Sequence, residues 1–144
     1  AVVRPDAVLA PMTVAELPLV VAIEAAAYDF PWTRGNFVDS LAAGYVARQL
    51  HGAAGGLIGY FIAMKGVDEM HLLNLTVAPA EQGRGHGRRM LDELVALCRA
   101  QRAEYLWLEV RESNDRARAL AVRHADRVGA RDRDGVFGRW RSGR

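Results

Sequence analysis

The stretch that decides the fold runs from Met70 to Leu91 and reads M-H-L-L-N-L-T-V-A-P-A-E-Q-G-R-G-H-G-R-R-M-L. Its first eight residues are mostly aliphatic and predict a β-strand that ends at Val77, shortly before Pro79. A glycine-rich turn follows, and beyond it the apolar residues recur at helical spacing. The apolar face of that predicted helix consists of Met90, Leu91, Leu94, Val95 and Cys98.

The sequence on either side of this stretch predicts the remaining elements of one α/β domain. They are a strand over 7–12, a helix over 13–28 that begins with a capping box at Thr13, a helix from 33 to about 42, strands over 45–50 and 57–64, a strand over 105–110 and a last helix from 114 to about 127. The three strands before the glycine turn form an antiparallel meander. We therefore expect a mixed, mostly antiparallel sheet flanked by helices.

Composition and charge narrow the functional classes. The chain has 144 residues, of which 51% are hydrophobic, and this fits a single domain over 1–144. Residues 1–122 hold 11 Arg and Lys65 against 14 acidic residues, whereas 123–144 hold 7 Arg against 3 Asp, so a basic tail carries the net charge of +2. A slightly acidic body argues against nucleic acid as the main ligand.

The sequence contains no long apolar run and no secretory signal, so we expect a cytoplasmic protein without a membrane partner. A lone Cys98 on the apolar face of a helix predicts packing rather than nucleophilic chemistry. The histidines show no metal-ligand spacing with one another or with Cys98, and we expect no metal. They are His51, His71, His86 and His124.

The glycine turn Q-G-R-G-H-G over 82–87 lies between a predicted strand and a predicted helix, which is the context of an anion site. Glycines let backbone N–H groups approach a phosphate closely. The P-loop pattern fails because Gly87 is followed by Arg88, and the dinucleotide pattern fails because neither Gly83 nor Gly85 has a glycine five residues later. A tight turn without a ligand is the alternative.

Three stretches in this order resemble the GNAT acetyltransferases. The residues N-L-T-V-A-P-A-E-Q-G-R-G-H-G-R-R-M-L from Asn74 resemble the acetyl-CoA signature of the family, Q/R-x-x-G-x-G/A after a strand. E-A-A-A-Y-D-F-P-W-T-R-G-N-F from Glu24 and L-W-L-E-V-R-E-S-N from Leu106 resemble one branch of it, the ribosomal-protein-alanine N-acetyltransferases of the RimI type. The resemblance covers about residues 8–122 and implies the GNAT fold.

The resemblance also implies a set of site residues. The backbone of Leu75, Thr76 and Val77 would bind the pantetheine arm of acetyl-CoA, with an amide near Val77 facing the thioester oxygen. Asn114 matches an asparagine that contacts the coenzyme. The alternative is an N-cap of the last helix, a role that is compatible with ligand contact. The amides of the glycine turn would hold the pyrophosphate, and they belong to Gly83, Arg84, Gly85, His86, Gly87 and Arg88.

Glu109 matches the general base of the family. A carboxylate at the end of a buried strand suits that task because desolvation raises its pKa toward that of an α-amine. Without the flanking motif, an acidic residue between Leu108 and Val110 is better explained by a solvent-facing position on a half-buried strand. The aromatic residues Phe30, Trp32 and Phe37 either line the acceptor cleft or belong to the core.

The chain departs from the family pattern near its C-terminus. The family's proposed general acid is a tyrosine, and counting from Asn114 or from Gly129 puts Ala121 or Ala125 at its position. No tyrosine follows Tyr105. The last strands of the family are not recognisable in residues 123–144, so we expect a divergent tail, an open sheet edge that favours dimers, and slow rather than absent transfer.

The leading interpretation is an acetyl-CoA-dependent transferase that acetylates the N-terminal alanine of a small-subunit ribosomal protein. A second interpretation is a GNAT enzyme acting on another amine, such as a lysine side chain or a small molecule. A third is a catalytically weak acetyl-CoA-binding protein, because the family's tyrosine is missing. A contact of the basic tail with ribosomal RNA is less favoured than a solvated tail.

Overall fold

The computed structural model describes residues 7–111, 127–131 and 135–141. The elements are β1 (Val8–Pro11), α1 (Leu17–Ala27), α2 (Arg34–Ala42), β2 (Val46–His51), β3 (Leu57–Lys65), β4 (Glu69–Val77), α3 (His86–Ala100), β5 (Tyr105–Arg111), β6 (Arg127–Arg131) and β7 (Gly135–Arg141). Short 3₁₀ turns precede α1 and follow β4. Within these ranges no helix has the length and apolar character needed to cross a membrane.

One sheet of seven strands, in the order β1-β2-β3-β4-β5-β7-β6, forms the middle layer. Every neighbouring pair is antiparallel except β4 and β5, which are parallel. Helices α1 and α2 pack on one face, with Leu17, Val20 and Phe37 in the core there. Helix α3 packs on the opposite face through Met90 and Leu94. The predicted mixed sheet with flanking helices is confirmed.

Strand β4 contains a bulge. Ala63 of β3 pairs with Leu72 and the preceding Ile62 pairs with Asn74, so Leu73 is an extra residue on β4. Leu72 belongs to the core under α3, whereas Leu73 packs against the core under α1. Asn74 also faces α1, because its side chain bonds to that helix. The bulge thus reverses the alternation of β4 and turns the next polar side chains toward α1.

The same bulge marks the point where β4 and β5 separate. Their parallel pairing runs from Glu69 opposite Tyr105 to Leu72 opposite Leu108. Beyond that pair β5 continues along β7, with Glu109 opposite Phe137, while β4 continues along β3 alone among the described strands. A wedge-shaped gap therefore opens between two neighbouring parallel strands.

Two sequence predictions about the helices have different outcomes. The helix beginning after Thr33 is confirmed, and Thr33 and Asn36 form a reciprocal capping box. The predicted capping box at Thr13 is wrong, because its side chain makes no capping bond and a 3₁₀ turn comes first. Helix α1 begins at Leu17 because Pro18 is favoured in the first turn, where its missing N–H costs nothing.

The expected open sheet edge beside β5 is not observed. Strand β7 pairs with β5 along its whole length and β6 pairs with β7, so the edge on which the predicted dimer depended is covered. Strands β1 and β6 form the two edges of the sheet instead. The predicted last helix over 114–127 lies outside the described residues, apart from Arg127, which begins β6.

Gly59 of β3 lies tightly against both β4 and α3. A Cβ atom placed there would lie 2.5 Å from the Thr76 carbonyl oxygen and 3.0 Å from Met90 Cε. We expect Gly59→Ala to lower the free energy of unfolding by about 1–3 kcal/mol, because backbone must move to admit the methyl group. Gly56→Ala is the matched control, since a Cβ there meets nothing within 4 Å. Urea denaturation measures both, and equal stabilities would contradict this packing.

Candidate functional site

The end of β4 presents backbone hydrogen-bonding groups to the gap beside β5. The Ala78 N–H donates to the Ile58 carbonyl at 2.7 Å, so residue 78 directs its backbone groups at β3. Along an antiparallel strand, every second residue directs its N–H and C=O groups at the same neighbour, so the backbone groups of Thr76 also face β3. Leu75 and Val77 then direct their N–H and C=O groups away from β3, toward the gap. This edge can pair with an extended ligand that carries amides.

The orientation of Thr76 has independent support, because a Cβ atom on Gly59 of β3 would collide with the Thr76 carbonyl oxygen. Of the three predicted backbone contacts on β4, those of Leu75 and Val77 are therefore directed at the gap. Thr76 directs its side chain toward α1, and the hydroxyl is buried and hydrogen-bonded there.

The glycine turn ends at an unpaired helix N-terminus. Gly83 and Gly85 have φ angles of +80° and +83°, in the left-handed region that glycine occupies without strain. The first bond of α3 runs from the Arg89 N–H to the Gly85 carbonyl at 3.1 Å. The N–H groups of His86, Gly87 and Arg88 precede that bond and have no intrahelical acceptor. Their direction and the helix dipole suit a phosphate group.

Side chains connect this turn to β4 and to the preceding 3₁₀ turn. Gln82 Nε2 donates to the Val77 carbonyl at 3.2 Å, so the turn is tied to the open end of β4. Arg84 Nη1 donates to Glu81 Oε2 at 3.2 Å. His86 is buried, with Nε2 3.7 Å from the same carboxylate oxygen, and its Nδ1 has no hydrogen-bond partner among the described residues.

A buried carboxylate is the feature that the sequence analysis missed. Glu24 of α1 is fully buried, and its Oε2 accepts a hydrogen bond from the Trp32 N–H at 2.8 Å. Its Oε1 accepts from the Tyr60 hydroxyl at 2.7 Å and from Asn74 Nδ2 at 3.0 Å. Burial, with the nearby Glu24 charge, raises the pKa of Tyr60, so this phenol stays protonated and donates. The available signal was a single charged residue in the otherwise apolar sequence of α1, L-P-L-V-V-A-I-E-A-A-A.

The network continues from Asn74 to the open edge of β4. The Thr76 hydroxyl donates to Asn74 Oδ1 at 2.7 Å, and the Tyr28 hydroxyl lies 2.8 Å from Thr76 Oγ1. The Tyr28 hydroxyl also lies 3.3 Å from the Leu75 carbonyl oxygen. Because the Leu75 carbonyl faces the gap, the half-buried Tyr28 stands at the side of the gap that borders α1.

The other predicted residues have separate outcomes. Glu109 is the first β5 residue beyond the last pair with β4, so its backbone lies where the gap begins. Asn114 falls outside the described residues. Phe37 is fully buried and packs edge-on against Tyr60. Trp32 is half-buried and packs on Phe37, with ring centroids 5.3 Å apart, whereas Phe30 is 91% exposed.

No group of His, Cys, Asp and Glu residues suited to a metal ion occurs within the described part of the chain. Cys98 is fully buried on the face of α3 that contacts the sheet, which confirms its predicted packing role. The site therefore consists of an edge of backbone amides, a helix N-terminus and a carboxylate-centred network around one gap.

Comparison with known proteins assigns the family. Residues 17–125 match the model of the acetyltransferase (GNAT) family. The chain belongs to this family and is an acetyl-CoA-dependent N-acetyltransferase of the GNAT fold.

The similar sequences carry one description. The chain is 35% identical over 105 residues to the [ribosomal protein bS18]-alanine N-acetyltransferase of Escherichia coli K12, covering 73% of this chain and 70% of that one. It is 35% identical over 98 residues to the corresponding protein of Haemophilus ducreyi, covering 68% and 67%. A Bacillus subtilis protein described as a putative enzyme of this kind is 31% identical over 113 residues, covering 76% and 73%.

Solved structures agree with the fold. The crystal structure of the ribosomal-protein-S18-alanine N-acetyltransferase from Escherichia coli superposes with a TM-score of 0.75 at 26% identity, covering 92% of this chain and 90% of that one. The PaiA N-acetyltransferase of Thermoplasma acidophilum, solved with coenzyme A, superposes with a TM-score of 0.80 at 12% identity, covering 94% and 98%.

Cys98 provides a test of the packing of α3 on the sheet. Burial raises the pKa of its thiol to about 11, so at pH 8 only about a thousandth of the thiol is ionised. We expect negligible reaction with Ellman's reagent at pH 8 in the folded protein and complete reaction in urea. Cys98 is the only cysteine, so the signal has one source. Rapid labelling of the folded protein would contradict the buried position.

Proposed function

We propose that this enzyme transfers the acetyl group of acetyl-CoA to the N-terminal alanine of ribosomal protein bS18. The observation that carries the proposal is the shared description of relatives that are 31–35% identical over about two thirds to three quarters of the chain. The wedge between β4 and β5 supports it, because an extended acceptor and an extended donor can approach each other there from opposite faces of the sheet.

The backbone of β4 fits the donor. The pantetheine arm of acetyl-CoA contains two amide groups, and the gap-facing N–H and C=O groups of Leu75 and Val77 are suited to pair with them as a further strand would. The Leu75 and Val77 amides are the candidates to face the thioester oxygen. Gln82, which bonds to the Val77 carbonyl, would then exchange that bond for contact with the ligand.

The glycine turn fits the pyrophosphate. We assign this group to the amides from Gly83 to Arg88, because the first-turn N–H groups of α3 have no acceptor within the helix. Arg84 adds a half-exposed guanidinium beside them. The assignment of Asn114 to the coenzyme rests on its match to the family motif alone.

Glu109 is our candidate for the general base. An α-amine with a pKa near 7.7–8.0 is largely protonated at neutral pH, so a base must remove one proton before or during attack. Once neutral, the amine nitrogen bonds to the carbonyl carbon and gives a second proton to the base, which has passed the first to solvent. The carbon–sulfur bond breaks and the thiolate leaves. A thiol pKa near 8.5 lets the thiolate depart without a proton donor, so transfer does not require the tyrosine that the chain lacks.

The substrate and the base are tested together. We expect acetylation of a peptide that begins with the alanine of bS18, and a loss of about 10²–10⁴ in kcat for Glu109→Gln, which cannot accept the proton. Glu104→Gln is the matched control, because Glu104 is an exposed residue just before β5. Mass spectrometry of the peptide measures the product. Turnover of a lysine side chain but not of the alanine peptide would contradict the proposed acceptor.

The pyrophosphate site is tested with two strained glycines. Gly85→Ala adds a Cβ at φ +83° directly before α3, so we expect the dissociation constant for coenzyme A to rise by about tenfold or more. Gly55→Ala adds the same strain at φ +86° in the β2–β3 turn and should leave binding unchanged. Isothermal calorimetry measures both. Equal affinities in the two variants would show that the turn does not hold the coenzyme.

A further inference from the structure

In each hydrogen bond of the chain from Glu24 to Tyr28, the donor and the acceptor can be assigned. A carboxylate only accepts, so Asn74 must present its NH₂ group to Glu24 and its carbonyl oxygen Oδ1 to Thr76. An amide oxygen also only accepts, so the Thr76 hydroxyl donates its proton to Asn74 Oδ1. The 2.8 Å contact between Thr76 Oγ1 and the Tyr28 hydroxyl must then be donated by Tyr28.

This direction determines what Tyr28 offers to a ligand. Both described partners of its hydroxyl, Thr76 Oγ1 and the Leu75 carbonyl oxygen, take its proton. With its proton directed at these two oxygens, the phenol can accept a hydrogen bond from a ligand through an oxygen lone pair. It lies beside the gap-facing carbonyl of Leu75 and on the face of the sheet that packs against α1. A ligand at that place is favoured if it donates N–H bonds.

The surrounding charge favours an amine. Residues 17–33, which include α1 and the segment that follows it, contain Glu24 and Asp29 but no lysine, arginine or histidine. Glu24 lies behind Tyr28 at the end of the chain of hydrogen bonds, and Asp29 is exposed beside it. An incoming ammonium or amine group thus approaches a segment whose two charges are both negative, and the first cation after it is Arg34 at the start of α2.

We propose that the Tyr28 hydroxyl accepts a hydrogen bond from the primary amine of the acceptor and orients it for attack. A neutral primary amine has two N–H bonds and one lone pair. One N–H bonds to Tyr28, the other gives its proton to the base, and the lone pair is left for the thioester carbon. Glu24, Asn74 and Thr76 are positioning residues that keep the phenol proton turned away from the amine.

The proposal rests on the acetyltransferase activity and on the thioester lying at the open edge of β4, as in the proposed function, but it does not depend on which primary amine is used. It makes a specific claim about selectivity. A neutral secondary amine has only one N–H, so it cannot donate a hydrogen bond to Tyr28 and a proton to the base at the same time. The wild-type enzyme should therefore prefer an alanine peptide to its N-methylalanine counterpart, and part of this preference should come from Tyr28.

The first experiment compares Tyr28→Phe with the wild type and with Tyr45→Phe, which removes the hydroxyl of another half-buried tyrosine on the α1 face. We expect Tyr28→Phe to lower kcat/KM for the alanine peptide by about tenfold to a hundredfold. The KM for acetyl-CoA should change by less than about twofold. The preference for the primary over the secondary amine should shrink, whereas Tyr45→Phe should change none of these values.

The second experiment tests the direction of the hydrogen bonds. Thr76→Val removes the oxygen that accepts from Tyr28 and should lower kcat/KM for the peptide, and Thr76→Ser, which restores that oxygen, should recover most of the loss. An unchanged primary-to-secondary preference in Tyr28→Phe would overturn the proposal. An effect confined to the KM for acetyl-CoA would also overturn it, because the hydroxyl would then only stabilise the conformation of β4.

The same comparison separates this inference from the proposed substrate. If the wild type acetylates only lysine side chains, the proposed bS18 acceptor fails, and the Tyr28 test proceeds with lysine and Nε-methyllysine peptides. If it acetylates the alanine peptide and Tyr28→Phe keeps the wild-type preference, the substrate stands and the role of Tyr28 fails.

Discussion

One extra residue in β4 controls the geometry of the site. Without the bulge at Leu73, β4 would keep its alternation and Asn74 would face α3 rather than α1. The pairing of β4 with β5 also ends there, at Leu72 and Leu108. A strand that leaves its neighbour exposes unpaired N–H and C=O groups, which in the middle of a sheet are normally satisfied. Here the groups belong to Leu75 and Val77 and face the space between two strands, where side chains of Tyr28 and Gln82 reach the two carbonyl oxygens.

The bulge and the buried Glu24 depend on each other. A buried carboxylate is costly unless hydrogen bonds replace its hydration. Glu24 receives them from the Trp32 amide, the Tyr60 hydroxyl and the Asn74 amide, which belong to three separate segments of the chain. Asn74 can contribute only because the bulge turns it toward α1. The carboxylate in turn fixes the segment after α1 against the sheet, and this segment carries Tyr28.

Much of the fold could be predicted from the sequence, because local chemistry determines it. The strand from Met70, the left-handed glycines and the amphipathic α3 are each specified by neighbouring residues. The bulge was not predicted, because Leu72 and Leu73 are both leucine and either can face a core. The buried position of Glu24 could not be predicted either, since its partners are 8, 36 and 50 residues away.

The C-terminal strands show the limit of the motif comparison. Residues 127–131 and 135–141 are arginine-rich and lack the family's motif, so their sequence predicted a tail. Strand β7 is defined by its pairing with β5, and β6 by its pairing with β7, and composition does not reveal these interactions. Composition also does not reveal which backbone groups of β4 face the gap, because that depends on the register of the strands.

Amide hydrogen exchange of β4, measured by NMR with and without coenzyme A, tests the central claim that the bulge leaves an edge of β4 for the donor. The account predicts slow exchange at Asn74 and Thr76 in both states, because their N–H groups face β3. It predicts fast exchange at Leu75 and Val77 that slows when coenzyme A binds. Binding of coenzyme A with no change in exchange at Leu75 and Val77 would contradict it.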